Sequence, residues 1–364
     1  MAVFVVDGDS FDFVEGYAAS DLYTKTEVNK LWYVSQNAVT LDVNHISAEI
    51  MCIGNYLGTI SATSSATSYA TVSVDGKKVI IYGKASGSAT VTITDSYSGT
   101  SKTVAVTVAA NFPNPTLNSN TPAQIQAAAR AGVASQLWSV GDRIGIAISG
   151  TVGIQSLNLT RYAYILGFNH NSAVEGTNTI HFQLGFTASS GGVNICFTDT
   201  NYGNTATSGY IMNASATNAG GWAASYMRNT VCPSLLAAMS SEWQAVVTPC
   251  TKFTDNVGGN PLVESSVTAT ADKVFLLSQY EIMGAVSQYI NPAEPVAQRQ
   301  YDYYANGNSK IKYKSNATST TATWWTRSAR NGGTNGFRQI TEDGSSNSAN
   351  GDKSNGFAPA FMVA

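Results

Sequence analysis

Charge is what this chain has least of. Asp, Glu, Lys and Arg make up 12% of its 364 residues, about half of the ~25% found in ordinary globular domains. The net charge is −3 and no basic block occurs, so nothing marks a nucleic-acid or anionic-membrane partner. No apolar run reaches the ~20 residues of a membrane-spanning helix. Residues 1–9 lack the basic region and longer apolar core of a secretory signal, which leads us to expect folding in a cytosol. Histidine is scarce: His45, His170 and His181. No His-x-x-x-His, Gly-x-Ser-x-Gly or Cys-x-x-Cys occurs, so the signatures of zinc hydrolases, serine hydrolases and dithiol redox centres are missing. Paired carboxylates for glycoside hydrolysis cannot be picked out either. The expectation is therefore no enzyme, no cofactor and no metal. Cys52, Cys196, Cys232 and Cys250 fall in separate segments. They read as reduced, mostly buried thiols, with a Cys232–Cys250 bridge left open.

What is there is apolar and polar-neutral. The apolar fraction of 43% affords a sizeable core, and Ser, Thr, Asn and Gly take the place of charge. That balance fits β-rich, outward-facing or virion-type proteins. Within residues 1–45, Thr24 and Glu27 have capping-box spacing, with Leu22 placed to staple against Val28. Residues 69–74 alternate, Asp75-Gly76 makes a turn, and residues 78–82 resume. This is a strong hairpin signal. Residues 89–94 and 102–108 alternate likewise, so residues 46–110 predict a small β-sandwich. Pro113, Pro115 and Pro122 mark a linker, within residues 111–136, that ends in a short helix capped by Thr121. Residues 144–148, 162–168, 179–184 and 272–278 read as strands, and residues 225–229 and 234–239 as helical. The expected fold class is mostly β and multidomain, with an α+β C-terminal domain over residues 137–364.

The C-terminal stretch is the part around which the rest is organised. Trp324, Trp325 and Arg327 open it and Phe361 nearly closes it. Two adjacent indoles need partners for their N–H groups if buried, and Arg327 suits a buried network. Between them, residues 330–355 hold few apolar side chains beyond Phe337 and Ile340, so this run is expected at the surface. Tyr301, Tyr303 and Tyr304 fit either a ligand face or core packing. Glu342-Asp343 is weighed as a cation site and set aside.

Three resemblances bear on these segments. Tyr23, Thr24, Lys25, Glu27 and Val28 resemble a motif near the N-termini of bacteriophage fibre and appendage proteins. It implies attachment to other virion proteins and trimerisation through residues 1–45. The order of strands and turns over residues 70–108 resembles the bacterial Ig-like group 2 domain, which implies a spacer without catalytic residues. Trp138 to Asp142, Leu166 to His170, Gly220 to Trp222, Met227-Arg228, residues 272–284, 301–312, 324–328 and 356–361 together resemble uncharacterised C-terminal domains of phages and Gram-positive bacteria. Such domains are similar to C-type-lectin-like folds and to the variable proteins of diversity-generating retroelements.

That last resemblance implies a fixed core of Trp324, Trp325, Arg327 and Phe361 beneath an exposed ligand face. The residues it assigns to the face are Arg330, Asn331, Thr334, Asn335, Arg338, Asn347, Asn350 and Asn355. The function it implies is a phage fibre or receptor-binding protein, located in the virion, that binds a bacterial surface saccharide or protein. The alternative is a capsid or tail decoration protein with a mainly structural role.

Overall fold

The Asp75-Gly76 turn forms where the alternation places it, with Gly76 at φ +59°, a conformation that costs glycine little. The computed structural model describes residues 30–186, 194–285 and 288–364. Tyr23, Thr24, Glu27 and Val28 lie outside the described residues. The chain divides into one unit ending at Pro115 and a second running from Thr116 to Ala364. Both are dominated by strands.

The first unit contains β1 (Trp32–Val34), β2 (Ala38–Leu41), β3 (Ser47–Gly54), β4 (Ile60–Ser64), β5 (Ala70–Asp75), β6 (Lys78–Gly83), β7 (Gly87–Asp95) and β8 (Ser101–Val108). They form two four-stranded sheets, β1-β3-β6-β5 and β2-β8-β7-β4. Alternate residues Ile50, Val79, Ile81, Val91, Ile93, Val104 and Val106 are buried, as period-two patterning requires. Among the described residues, strands β1 and β2 join these sheets ahead of residue 46. Strands β1 and β2 supply only three and four residues, too short for alternation to register in the sequence.

In the second unit a 3-10 turn, Leu117–Ser119, precedes the helix Pro122–Arg130, which is capped reciprocally by Thr121 and Gln124. Its strands are β9 (Arg143–Val152), β10 (Gln155–Phe168), β11 (Ile180–Phe186), β12 (Ile195–Cys196), β13 (Val247–Thr248), β14 (Cys250–Asp255) and β15 (Val267–Asp272). They continue with β16 (Val274–Phe275), β17 (Lys312–Lys314), β18 (Ala317–Ala322), β19 (Trp324–Ala329), β20 (Gly336–Ile340), β21 (Ser346–Asn350) and β22 (Ala360–Val363). The largest sheet has the order β13-β22-β11-β10-β9, with β16 also paired to β22. The C-terminal strand is thus central. Phe361 stacks on Phe182 at 5.3 Å and meets the edge of Trp243 at 5.7 Å. A separate sheet β19-β20-β21 carries the C-terminal stretch.

All six residues of β19 are buried. One side pairs with β20, and the other is covered because Trp325 and Arg327 donate their backbone N–H groups to Gly356 and Leu277. The indole N–H groups of Trp324 and Trp325 donate to the carbonyls of Lys310 (3.0 Å) and Tyr210 (2.9 Å). Gly336 is required beside it, since a Cβ there would lie 2.1 Å from the Ala349 carbonyl oxygen.

Several expectations change. Residues 272–278 do not form one strand: β16 is two residues long, and Ser278 caps the helix Gln279–Met283 together with Glu281. A π-type turn, Met227–Val231, runs directly into the helix Cys232–Ala238. Tyr301, Tyr303 and Tyr304 are core residues, with Tyr304 Oη donating to Gln183 Oε1 at 2.6 Å. All four cysteines are free and buried, so Cys232 and Cys250 do not pair. From the packing of β22, Phe361→Ala is expected to lower unfolding free energy by about 3–5 kcal/mol. Urea denaturation of the two proteins measures it, and a loss below ~1 kcal/mol would show that β22 does not anchor the core.

Candidate functional site

Beneath the C-terminal sheet lies a closed set of charges. Lys252, Glu175, Glu281 and Arg327 are all buried. Lys252 falls inside because β14 alternates, and Cys250, Lys252 and Thr254 share its inward side. Its ammonium donates to Glu175 Oε1 (2.6 Å), Glu281 Oε1 (3.2 Å) and the Tyr301 hydroxyl (2.8 Å). Arg327 grips both oxygens of Glu281, at 2.5 and 3.0 Å, and donates to Thr254 and the Leu276 carbonyl. Burial alone would raise the Glu281 carboxyl; Arg327 and Lys252 outweigh it and hold that group below the usual carboxylate range. Two cations face two carboxylates, so the net charge of this core is zero.

Tyr301 fixes the adjacent imidazole. Its oxygen accepts from Lys252 and lies within hydrogen-bond distance, 3.0 Å, of His181 Nδ1. His181 Nε2 lies 3.5 Å from Glu175 Oε2, and burial, followed by the Lys252 charge, holds the imidazole well below its usual range. His170 stacks on the Tyr301 ring, with centroids 3.6 Å apart. Burial, followed by the nearby Lys252 charge, drops His170 to about 3, so it stays neutral. His170, Glu175 and Glu281, and likewise Glu175, His181 and Cys250, bring ligand-type atoms within 4.8 Å of one another. Both carboxylates are already compensated by Lys252 and Arg327, and burial pushes the Cys250 thiol up to about 12. The cluster therefore fits a structural network better than a cation site.

The residues assigned to the ligand face separate. Arg338 is only 4% exposed, which corrects its assignment as a contact residue. It donates to Gln279, Ser346 and Ser348, and its guanidinium lies 5.1 Å from the Tyr289 ring centroid. Burial and the nearby Arg330 charge lower it to about 10. Asn355 is 6% exposed and donates to Gln339, so it too is interior; its position beside the C-terminal core strand explains why. Asn350 is half-buried and pairs with Gly336 in the sheet.

Arg330, Asn331 and Asn335 are half-buried, and Thr334 and Asn347 are exposed. The turn at residues 330–335 is held through its backbone and through the Asn331 amide, whose Oδ1 accepts from the Leu262 and Gly332 backbone N–H groups and whose Nδ2 donates to the Gln288 carbonyl. Buried Asn218 donates from Nδ2 to the carbonyls of Arg330 and Gly333, and from its backbone to Thr334. Asn331 donates its backbone N–H to the Tyr289 carbonyl at 2.9 Å. Sequence reading missed Asn218, a single Asn in a loop that carries no local signal. Glu342 and Asp343 are exposed, and the Asp343 carboxylate accepts from Thr341 and Ser345 within its own turn.

Residues 202–364 match the sequence model of DUF6273, a domain of unknown function. The match takes in the charge network from Lys252 onward and all of the C-terminal face. Among curated proteins none matches the chain. In solved structures the chain is similar to S-layer protein SbsC domains 4 and 5, at 24% identity over 21% of this chain and 50% of that one, with TM-score 0.19. For SbsC domains 5-6 the values are 16% identity, 44% and 63% coverage and TM-score 0.19. For the YadV chaperone they are 8% identity, 45% and 96% coverage and TM-score 0.17. The chain thus spans less than two thirds of either S-layer fragment.

Lys252→Met strands Glu175 and Glu281 in the interior and is expected to cost about 3–5 kcal/mol, with Glu175→Gln in the same chain recovering part of it. A denaturation-based double-mutant cycle reads this, and additive losses would show that the pair is uncoupled. Buried Glu294 is raised by burial to about 7. The stability linked to its protonation is present below its ordinary value near 4.5 and lost as pH rises to about 7. Glu294→Gln should therefore flatten the stability profile between those pH values. An unchanged slope would place the titration elsewhere.

Proposed function

We propose that this chain is a bacteriophage virion appendage protein that recognises a bacterial surface ligand non-covalently through its C-terminal unit. The observation that carries the reading is the division of labour around β19. The frame is buried and hydrogen-bonded, while Arg330, Thr334 and Asn347 offer side chains that take no part in the contacts that tie the turn at residues 330–335 to Asn218, Tyr289 and Gln288. A surface of that kind changes specificity without refolding, and its Asn, Ser, Thr and Gly content resembles that of antibody paratopes. The buried β19, held by Arg327 and closed by β22, is what the C-type-lectin-like resemblance expects of its core. The two four-stranded sheets of the first unit are what an Ig-like domain provides. Attachment through Tyr23, Thr24, Glu27 and Val28, and a trimeric state, complete the proposal. In that setting weak individual contacts gain strength from many copies on one particle.

One observation favours the decoration-protein reading instead. Tyr33, Met51, Ile53 and Tyr82 are exposed, each 39% or more. Register places Tyr33 opposite Ile53 on neighbouring strands of one sheet, with Met51 two residues along β3. An apolar sheet face of this kind packs against other subunits.

The test uses the labelled full-length protein against a panel of bacterial cells. The triple variant Arg330→Ala, Thr334→Ala, Asn347→Ala is expected to keep its unfolding temperature and lose at least about tenfold in cell binding. Equal binding by the variant would move the contact away from this face. Co-assembly with virion subunits that depends on Tyr33 and Ile53, with no cell binding, would favour the decoration reading.

A further inference from the structure

Beside the helix Gln279–Met283 lies a polar cleft of about 330 Å³. Phe168, Asn169, His170, Tyr280, Arg299 and Asp302 line it, with the amides of Gln298 and Gln300 at its margin. Its volume is at the small end of the ~300–1,000 Å³ typical of ligand sites. None of these residues belongs to the C-terminal face.

The chemistry of the lining is unusual for a chain so poor in charge. Among the described residues, neither the Arg299 guanidinium nor the Asp302 carboxylate has a hydrogen-bond or ion-pair partner, and the two do not pair with each other. His170 in the wall is 7% exposed, and its Nε2 has no partner. Asn169 holds the turn in the left-handed region at φ +49°, and its side-chain oxygen accepts from Thr179. Non-glycine residues adopt that conformation uncommonly. The His170 nitrogen is enclosed behind the wall, so the cleft presents one unpaired cation and one unpaired carboxylate, of zero net formal charge, beside the rings of Phe168 and Tyr280.

We propose that this cleft binds one neutral, hexose-sized sugar unit. A pyranose has a ring of hydroxyls that both donate and accept, matching a guanidinium and a carboxylate together. It also has C–H faces that pack on aromatic rings. A purely anionic ligand would leave Asp302 opposed, and a purely cationic one would leave Arg299 opposed. The volume suits one residue of a glycan rather than an extended chain.

The test is saturation-transfer NMR on the full-length protein with free D-glucose, D-galactose, L-rhamnose, N-acetylglucosamine and N-acetylgalactosamine, followed by titration of any sugar that responds. Saturable binding of at least one sugar in the ~1–10 mM range is expected. Arg299→Ala and Asp302→Asn should each weaken it at least about tenfold, since each removes a charge-assisted hydrogen bond. Both side chains lie at the surface, and unchanged unfolding temperatures confirm that the variants are folded. No transfer to any of the five sugars overturns the proposal. So does binding that both variants retain, or displacement of the sugar by glycine, which would mark a zwitterion site. The cell-binding assay of the 330–347 variant reads a different surface, so the two proposals fail separately.

Discussion

The bidentate contact between Arg327 and Glu281 is the constraint on which the C-terminal unit depends. It joins the middle of β19 to the cap of the helix Gln279–Met283. Through Lys252 and Glu175 it extends to β14 and to the turn before β11. A buried pair of this kind adds little stability over an apolar core of equal volume. What it contributes is a single arrangement in which every charge is compensated. Shifting β19 by one residue would turn Arg327 out of the network and strand Glu281 without its guanidinium. The register of the strand that leads into the candidate face is therefore set from below.

That constraint explains how the surface turn is tolerated. Residues 330–335 bury little apolar area, and a loop of that composition has scant reason to hold one shape. Here its carbonyls are taken by Asn218 and its backbone is tied to Tyr289. Arg338, beneath Tyr289, fastens the next strand to Gln279 on the same helix that Glu281 caps. Side chains at positions 330, 334 and 347 are then the ones that the proposed function assigns to contact.

Much of the frame was legible in the residues. The Asp75-Gly76 hairpin, the capped helix at Thr121, and the buried Trp324, Trp325, Arg327 and Phe361 all follow from local patterning or from donors that demand partners. Arg338 and Asn355 were not legible, because polarity alone puts them outside. What places them inside is pairing across β20 and β21 and the return of the chain toward β22, both non-local. Lys252 could have been found: residues 250, 252 and 254 share one side of an alternating segment, and in a chain with 12% charge a Lys at an inward position points to a buried partner. Ser278 and Glu281 also carry capping-box spacing, a signal hidden by reading the preceding apolar run as one long strand.

The central claim is that frame and face are separable, and a pooled stability measurement tests it most directly. One library is randomised at positions 330, 334 and 347, and another at 325, 327 and 338, each displayed in the full-length chain and sorted by resistance to proteolysis after heating. The account predicts that most members of the first library survive like the parent, while nearly all of the second are lost. If the two libraries are depleted alike, the turn is part of the frame, and no face that varies independently of the fold exists here.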